Sequence, residues 1–137
     1  MASFPLAFRS SYGASKAALK AFADGCRLEL APFGVWVTTV EPGSIHTGIA
    51  ERRTKYLAPD SPYAADYTTV LNALDANEAT GISPEKVART ILRAIEARKP
   101  RPLYAIGSNA PLVFALRRLA PRNTLHRAVA RRHGLRR

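Results

Sequence analysis

A single cysteine, Cys26, stands among the 137 residues, which rules out an internal disulfide and makes a reducing compartment the default. The three histidines, His46, His126 and His133, fall at no metal-ligand spacing with that cysteine or with carboxylates, so no metal site is expected. No apolar run approaches the roughly 20 residues that a membrane-spanning helix needs. The first residues lack a basic start followed by an apolar stretch, so no secretory leader is expected and the default location is the cytoplasm. There are no internal repeats. Acidic residues are missing from one whole region: residues 1–97 hold ten basic and ten acidic side chains, whereas residues 98–137 hold eleven basic and none acidic. The net charge of +11 therefore lies in the final stretch alone.

Set against these absences is Ser11-Tyr12-Gly13-Ala14-Ser15-Lys16. A phenol is a poor acid at neutral pH, with a reference pKa of about 10, and a cation held beside it favours its anion. Helix positions i and i+4 share a face, so Tyr12 and Lys16 point together and form a proton donor for a carbonyl or alcohol. The pair heads a helical pattern in which Leu19, Phe22, Ala23, Cys26 and Leu30 are apolar while Lys20, Asp24, Arg27 and Glu29 are polar. Pro32 and Gly34 stop that helix, and Val35 to Val40 reads as a buried strand, apolar on both faces as in the middle of a sheet. The strand runs into Glu41-Pro42-Gly43-Ser44-Ile45-His46-Thr47, a turn at the carboxyl edge of a parallel sheet, where open α/β folds bind ligands.

The order of a helix with Y-x-x-x-K, a short turn, a strand and P-G-x-I-x-T resembles the short-chain dehydrogenase/reductase family. The resemblance covers essentially the whole chain and the second half of that family's domain. It implies an α/β fold, a Rossmann-type doubly wound parallel sheet present here as its C-terminal half. It also implies that Tyr12 is the catalytic acid/base, and that Lys16 strengthens the acidity of Tyr12 and holds the nicotinamide ribose. Pro42 and Gly43 would shape the turn, Ile45 would meet the nicotinamide carboxamide through its backbone, and Thr47 would meet the cofactor phosphates. The implied cofactor is NADP or NAD, with a lean to NADP, and the substrate a small-molecule carbonyl or secondary alcohol. The late segment from Val87 to Pro102 looks like the lipid- and steroid-acting branch of the family. The first helix commonly forms the subunit interface in this family, and Ala14, Ala18, Ala21 and Gly25 would allow close packing in a homo-oligomer.

Parts of the family pattern are missing. There is no Gly-rich loop to hold the pyrophosphate. The catalytic Ser of the family lies about 13 residues before the Tyr, upstream of Met1, and Ser3, Ser10 and Ser11 stand at the wrong distance to replace it. The family's Asn is absent as well. A doubly wound sheet with two recognisable strands leaves a hydrophobic edge open, which suggests a truncated product, a mis-assigned start, or a fragment that needs a partner chain.

Later elements follow the same order. Ser44 to Ala58 reads as the opening of a substrate loop, and Tyr67, Val70, Leu71 and Leu74 give a lid helix ended by Gly81. Tyr56, Tyr63 and Tyr67 are candidates for the substrate cleft, although aromatics at such spacing are more often ordinary packing. His46, beside the loop, reads as an exposed loop residue more readily than as a substrate contact. Ser83 suits an N-cap and Pro84 the first helical position, with Val87, Ala88, Ile91, Leu92 and Ile95 as the apolar face of a long helix. Leu103 to Gly107 reads as the last strand. Residues 1–107 thus form the half-domain and residues 108–137 a basic amphipathic tail.

That tail has three readings. Pro111 to Leu119, apolar and ending in cations, suits peripheral contact with a membrane surface. Nucleic-acid binding matches the charge but lacks an aromatic platform or a reading motif, and is disfavoured. The third reading is a solvated basic face whose apolar side packs on the domain or on another subunit. The alternative to an enzyme is accordingly a non-catalytic fragment that binds a partner subunit or a membrane surface through the tail.

Overall fold

From Ser10 to Leu30 the chain carries alanine, leucine, lysine and arginine without proline, and it forms one long helix, α1 (Ser10–Leu30). Ala31–Phe33 tightens into a 3-10 turn containing Pro32, and Gly34 takes a left-handed φ of 74°, which glycine adopts without strain. The chain then reverses, with the Val35 N–H returning to the Leu30 carbonyl at 3.3 Å. The structure, a computed structural model, describes residues 6–58, 60–107 and 119–135.

β1 (Thr39–Pro42) pairs in parallel with β2 (Leu103–Ile106), in the register Thr39↔Leu103 to Pro42↔Ile106. The connection between them carries α2 (Ile49–Arg52), α3 (Ala64–Ala79) and α4 (Pro84–Glu96), and α4 touches both strands. A further helix, α5 (Arg122–Arg132), follows. The fold is α/β, an incomplete Rossmann-type arrangement with a two-stranded parallel sheet among the described residues.

The strand expected at Val35–Val40 begins four residues later. Its partner β2 follows Pro100 and Pro102, whose nitrogens carry no hydrogen for a ladder, and the first bond is from the Thr39 N–H to the Pro102 carbonyl at 3.0 Å. Val35 to Thr38 meet no strand among the described residues, and Val35 is 49% exposed. A side chain takes over there. The Arg27 guanidinium donates to the Val37 carbonyl at 2.6 Å, to Thr38 Oγ1 at 3.3 Å and to the Pro100 carbonyl, and lies over the Trp36 ring at 5.0 Å.

The helix faces also differ from the apolar pattern. In α1, Lys20 and Arg27 turn toward the sheet beside buried Ala23, while Leu19, Phe22 and Leu28 stay exposed. In α4 the buried residues are Thr90 and Ala94, while Ile91, Leu92 and Ile95 are exposed. Among the described residues the apolar stripes are only partly covered: Ala23 is buried and Cys26, Leu30 and Val87 are half-buried. Ser83 occupies the N-cap of α4 without bonding a helix N–H. Glu85 sits below the usual glutamate range, chiefly because its own backbone N–H bonds the carboxylate and next because the Ser83 hydroxyl does.

α3 fares better. Val70, Leu71 and Leu74 of α3 are buried as their spacing requires, and they meet Leu135 from beyond α5, with Leu6, Ala7, Tyr67 and Ala130 around them. Gly134, at φ 76°, ends α5 and lets the Leu135 N–H return to the Ala130 carbonyl at 2.9 Å. That turn drops Leu135 onto α3. Leu135 and Ala130 of the tail therefore pack on α3, while most of the apolar segment Pro111–Leu119 lies outside the described residues.

Candidate functional site

Tyr12 and Lys16 lie on the first turns of α1, and the Lys16 ammonium sits over the Tyr12 ring, 5.5 Å from its centroid. Tyr12 is 45% exposed, so its hydroxyl is open to a small molecule. The helix supplies the pairing by its period alone.

Pro42 ends β1, and the Gly43 N–H continues the ladder to the Ile106 carbonyl at 2.8 Å. The loop is then clamped from its other side. Ile45 forms a lone parallel bridge with Ile82, in which the Ile82 N–H bonds the Ser44 carbonyl at 2.9 Å and the His46 N–H bonds the Ile82 carbonyl at 3.0 Å. A bridge of this kind uses the groups on either side of Ile45 and leaves Ile45's own N–H and C=O facing away from Ile82. Thr47 is exposed, and its carbonyl accepts from Arg52 at 2.9 Å. Pro42, Gly43, Ile45 and Thr47 thus stand together on one braced loop.

Two contacts set α1 against that loop. Lys20 Nζ pairs with Glu41 Oε1 at 3.4 Å, one residue before Pro42, and Arg27 holds Val37. As α1 advances from 20 to 27, the strand segment it touches retreats from 41 to 37, so helix and strand run in opposite directions. At a rise of about 1.5 Å per residue, Lys16 lies about 6 Å and Tyr12 about 12 Å beyond Lys20, on the side where Glu41 gives way to the loop. The two sets of residues therefore belong to one end of the molecule.

The sequence reading missed the parts played by Lys20, by Glu41 and by Gly81, which was taken only as a helix end and whose backbone lies against Ser44 and Ile45. Lys20 offered a signal, since it repeats the face of Lys16 one turn later; Glu41 and Gly81 act only through contacts between distant segments. Three of the other candidates make local contacts, and Tyr56 stands open. His46 Nδ1 lies 3.1 Å from the Ala79 carbonyl and closes the end of α3, in keeping with an ordinary loop residue. Tyr63 and Tyr67 make edge contacts with Phe8, at 6.2 and 5.5 Å, and Tyr56 is 85% exposed.

Comparisons with known proteins speak to the family. The short chain dehydrogenase family profile matches residues 1–57. The dehydrogenase/reductase SDR family member 7B of Xenopus laevis is 40% identical over 114 residues, 83% of this chain and 32% of that protein. An uncharacterized oxidoreductase of Bacillus subtilis is 32% identical over 117 residues, 82% of this chain and 42% of that one. A 3-ketodihydrosphingosine reductase of Bacteroides thetaiotaomicron is 26% identical over 110 residues, 79% of this chain and 41% of that one. The chain spans about a third of the length of the first two relatives it matches, 32% and 33%.

Proposed function

Because the chain belongs to the short-chain dehydrogenase/reductase family, we propose that it serves as the proton-transfer half of a nicotinamide-dependent oxidoreductase acting on a carbonyl or secondary alcohol. One observation carries the reading: Lys16 lies over the exposed Tyr12 on a helix that the Lys20–Glu41 pair aligns with the loop from Pro42 to Thr47. The residues fit the group that the family uses. Ile45 keeps a free backbone donor and acceptor side by side, which matches a carboxamide, and Thr47 is exposed at the far end of the same loop. A bound nicotinamide cofactor, NADP or NAD, would supply hydride.

The chain's own residues do the rest. Tyr12 gives the proton of its Oη to the substrate oxygen in reduction and takes one back in oxidation, while Lys16 stabilises the phenolate that forms. Lys16 also offers donors to a ribose hydroxyl. Likeness to a protein named as a 3-ketodihydrosphingosine reductase supports a lipid-like ketone or alcohol as the substrate class. Exposure of Leu19, Phe22 and Leu28 on α1 favours the second reading, a non-catalytic chain that binds a partner subunit.

Titration of NADPH and NADH with the purified chain, read by dihydronicotinamide fluorescence, separates the two. A saturable change weakened by Thr47→Ala supports cofactor binding, and no change with either nucleotide favours the second reading. With a hydrophobic ketone as substrate, Tyr12→Phe is expected to cut turnover by about 10²- to 10⁴-fold. Undiminished turnover in that variant would refute the role given to Tyr12.

A further inference from the structure

The arginines of α5 form a surface that the proposed chemistry does not use. Leu125, Val129, Ala130 and His133 turn inward or lie half-buried, and Leu135 is buried against α3. Ala130 packs beside Leu135 on α3, and these contacts set the orientation of the helix. Arg122, Asn123, His126, Arg127, Arg131 and Arg132 are left exposed on the other side. Arg122, Asn123, His126 and Arg127 line one shallow depression, where two guanidiniums and an amide converge as hydrogen-bond donors.

Among the described residues no ion pair neutralises the charge on this face. The ion pairs among the described residues join Lys20 to Asp24 and Glu41, and Arg53 to Asp75 and Glu78; none includes an arginine of α5. Residues 98–137 contain no acidic side chain that could serve. Arg132 reaches back to Asn77 Oδ1 at 3.5 Å, and the guanidiniums of Arg122, Arg127 and Arg131 match bidentate phosphate chemistry.

We propose that this arginine face of α5 is a docking surface for the phosphates of anionic lipid headgroups, and that it lies on the membrane by charge without inserting. Two observations favour a bilayer over a nucleic acid. α5 has no Phe, Tyr or Trp to form a stacking platform for bases, and His126 is its one exposed ring. The sequence just before it sets Leu112, Phe114, Leu116 and Leu119 among Arg117 and Arg118, and Leu119 is 82% exposed. Apolar residues beside cations suit the interface of an anionic leaflet. The half-buried inner side of α5 is partly taken up by the domain, which disfavours the usual in-plane helix that sinks its own apolar stripe.

Co-sedimentation of the whole chain with phosphatidylcholine vesicles, with and without phosphatidylglycerol, tests the proposal. Binding is expected only with the anionic lipid, and is expected to fade between about 0.15 M and about 0.5 M salt as the charges are screened. Each arginine near a charged surface contributes about fivefold, so the triple variant Arg122→Gln, Arg127→Gln, Arg131→Gln should bind about 10²-fold more weakly. Removing three equally exposed cations from α4, by Lys86→Gln, Arg89→Gln and Arg93→Gln, should change binding by less than about twofold, which separates the surface from net charge. Circular dichroism shows whether each variant keeps its fold, and a variant that loses helix is replaced by the corresponding single substitutions.

Equal binding to neutral vesicles, or binding that survives salt and the α5 triple variant, would show apolar insertion and overturn the proposal. So would tighter binding to a DNA duplex than to anionic vesicles. Competition by millimolar inorganic phosphate as strong as that by vesicles would identify a soluble phosphate site in its place.

Discussion

Gly81 has no room for a side chain. A Cβ there would stand 2.7 Å from the Ser44 carbonyl carbon and oxygen and 2.8 Å from the Ile45 carbonyl carbon, all of them backbone atoms that cannot swing aside. Gly81→Ala must therefore push the loop off the Ile45–Ile82 bridge or strain it, at a cost of about 1–3 kcal/mol. Urea denaturation would read the loss, and amide exchange at Ile82 and His46 would show the bridge opening. If the variant has an unchanged denaturation midpoint and unchanged exchange, the loop is not held as described. The contrast with Tyr12 and Lys16 shows what a sequence can display at this scale. The chemistry proposed for them demands particular residue types at a spacing that the helix itself provides, so their juxtaposition was legible, as was the turn at Pro42 and Gly43. Gly81 and Glu41 owe their roles to neighbours about 37 and 21 positions away along the chain, and no local pattern marks such contacts.

Among the elements, α1 shows how an ion pair and one guanidinium can decide which face of a helix turns inward. The apolar residues Leu19 and Phe22 predicted one face; Lys20 and Arg27 made the contacts of another. Hydrophobic spacing tells which stripe of a helix favours burial, but not whether a neighbour is there to bury it. The exposed Ile91, Leu92 and Ile95 of α4 teach the same lesson, and so does Val35, which precedes a strand shortened to the length of its partner. Where a neighbour is present, as for Val70, Leu71 and Leu74, the period was a sound guide. Arg27 spans two approaches at once, binding the carbonyls of Val37 before β1 and Pro100 before β2 while stacking on Trp36. Arg27→Lys keeps a cation over that ring but loses the planar fork that reaches both segments. Since hydrogen bonds from a charged group contribute about 1.5–3 kcal/mol each, the substitution should destabilise by at least about 1.5 kcal/mol. A thermal midpoint equal to that of the unaltered chain would show that the sheet does not depend on this clamp.

At the scale of the whole molecule, the buried hydrophobic cluster lies away from the sheet, where α3 meets the tail, and Leu135 is its contribution from the far end of the chain. This links stability to the surface on α5. Leu135 is 7% exposed, and shortening a buried leucine to alanine costs about 2–5 kcal/mol. Much of that cost falls on the docking of α5, because the Gly134 turn places Leu135 there and nothing else from the tail is fully buried among the described residues. Leu135→Ala should therefore lower the denaturation midpoint and also release the inner side of α5, with Leu125 and Val129. A helix freed in this way can sink that side into a bilayer, a mode that salt does not screen. Vesicle binding by the Leu135→Ala protein should accordingly become less sensitive to salt than that of the unaltered chain, even as its folded state weakens. If stability falls while the salt dependence stays the same, α5 remains seated without Leu135, and the orientation of its arginines must come from other contacts along α3.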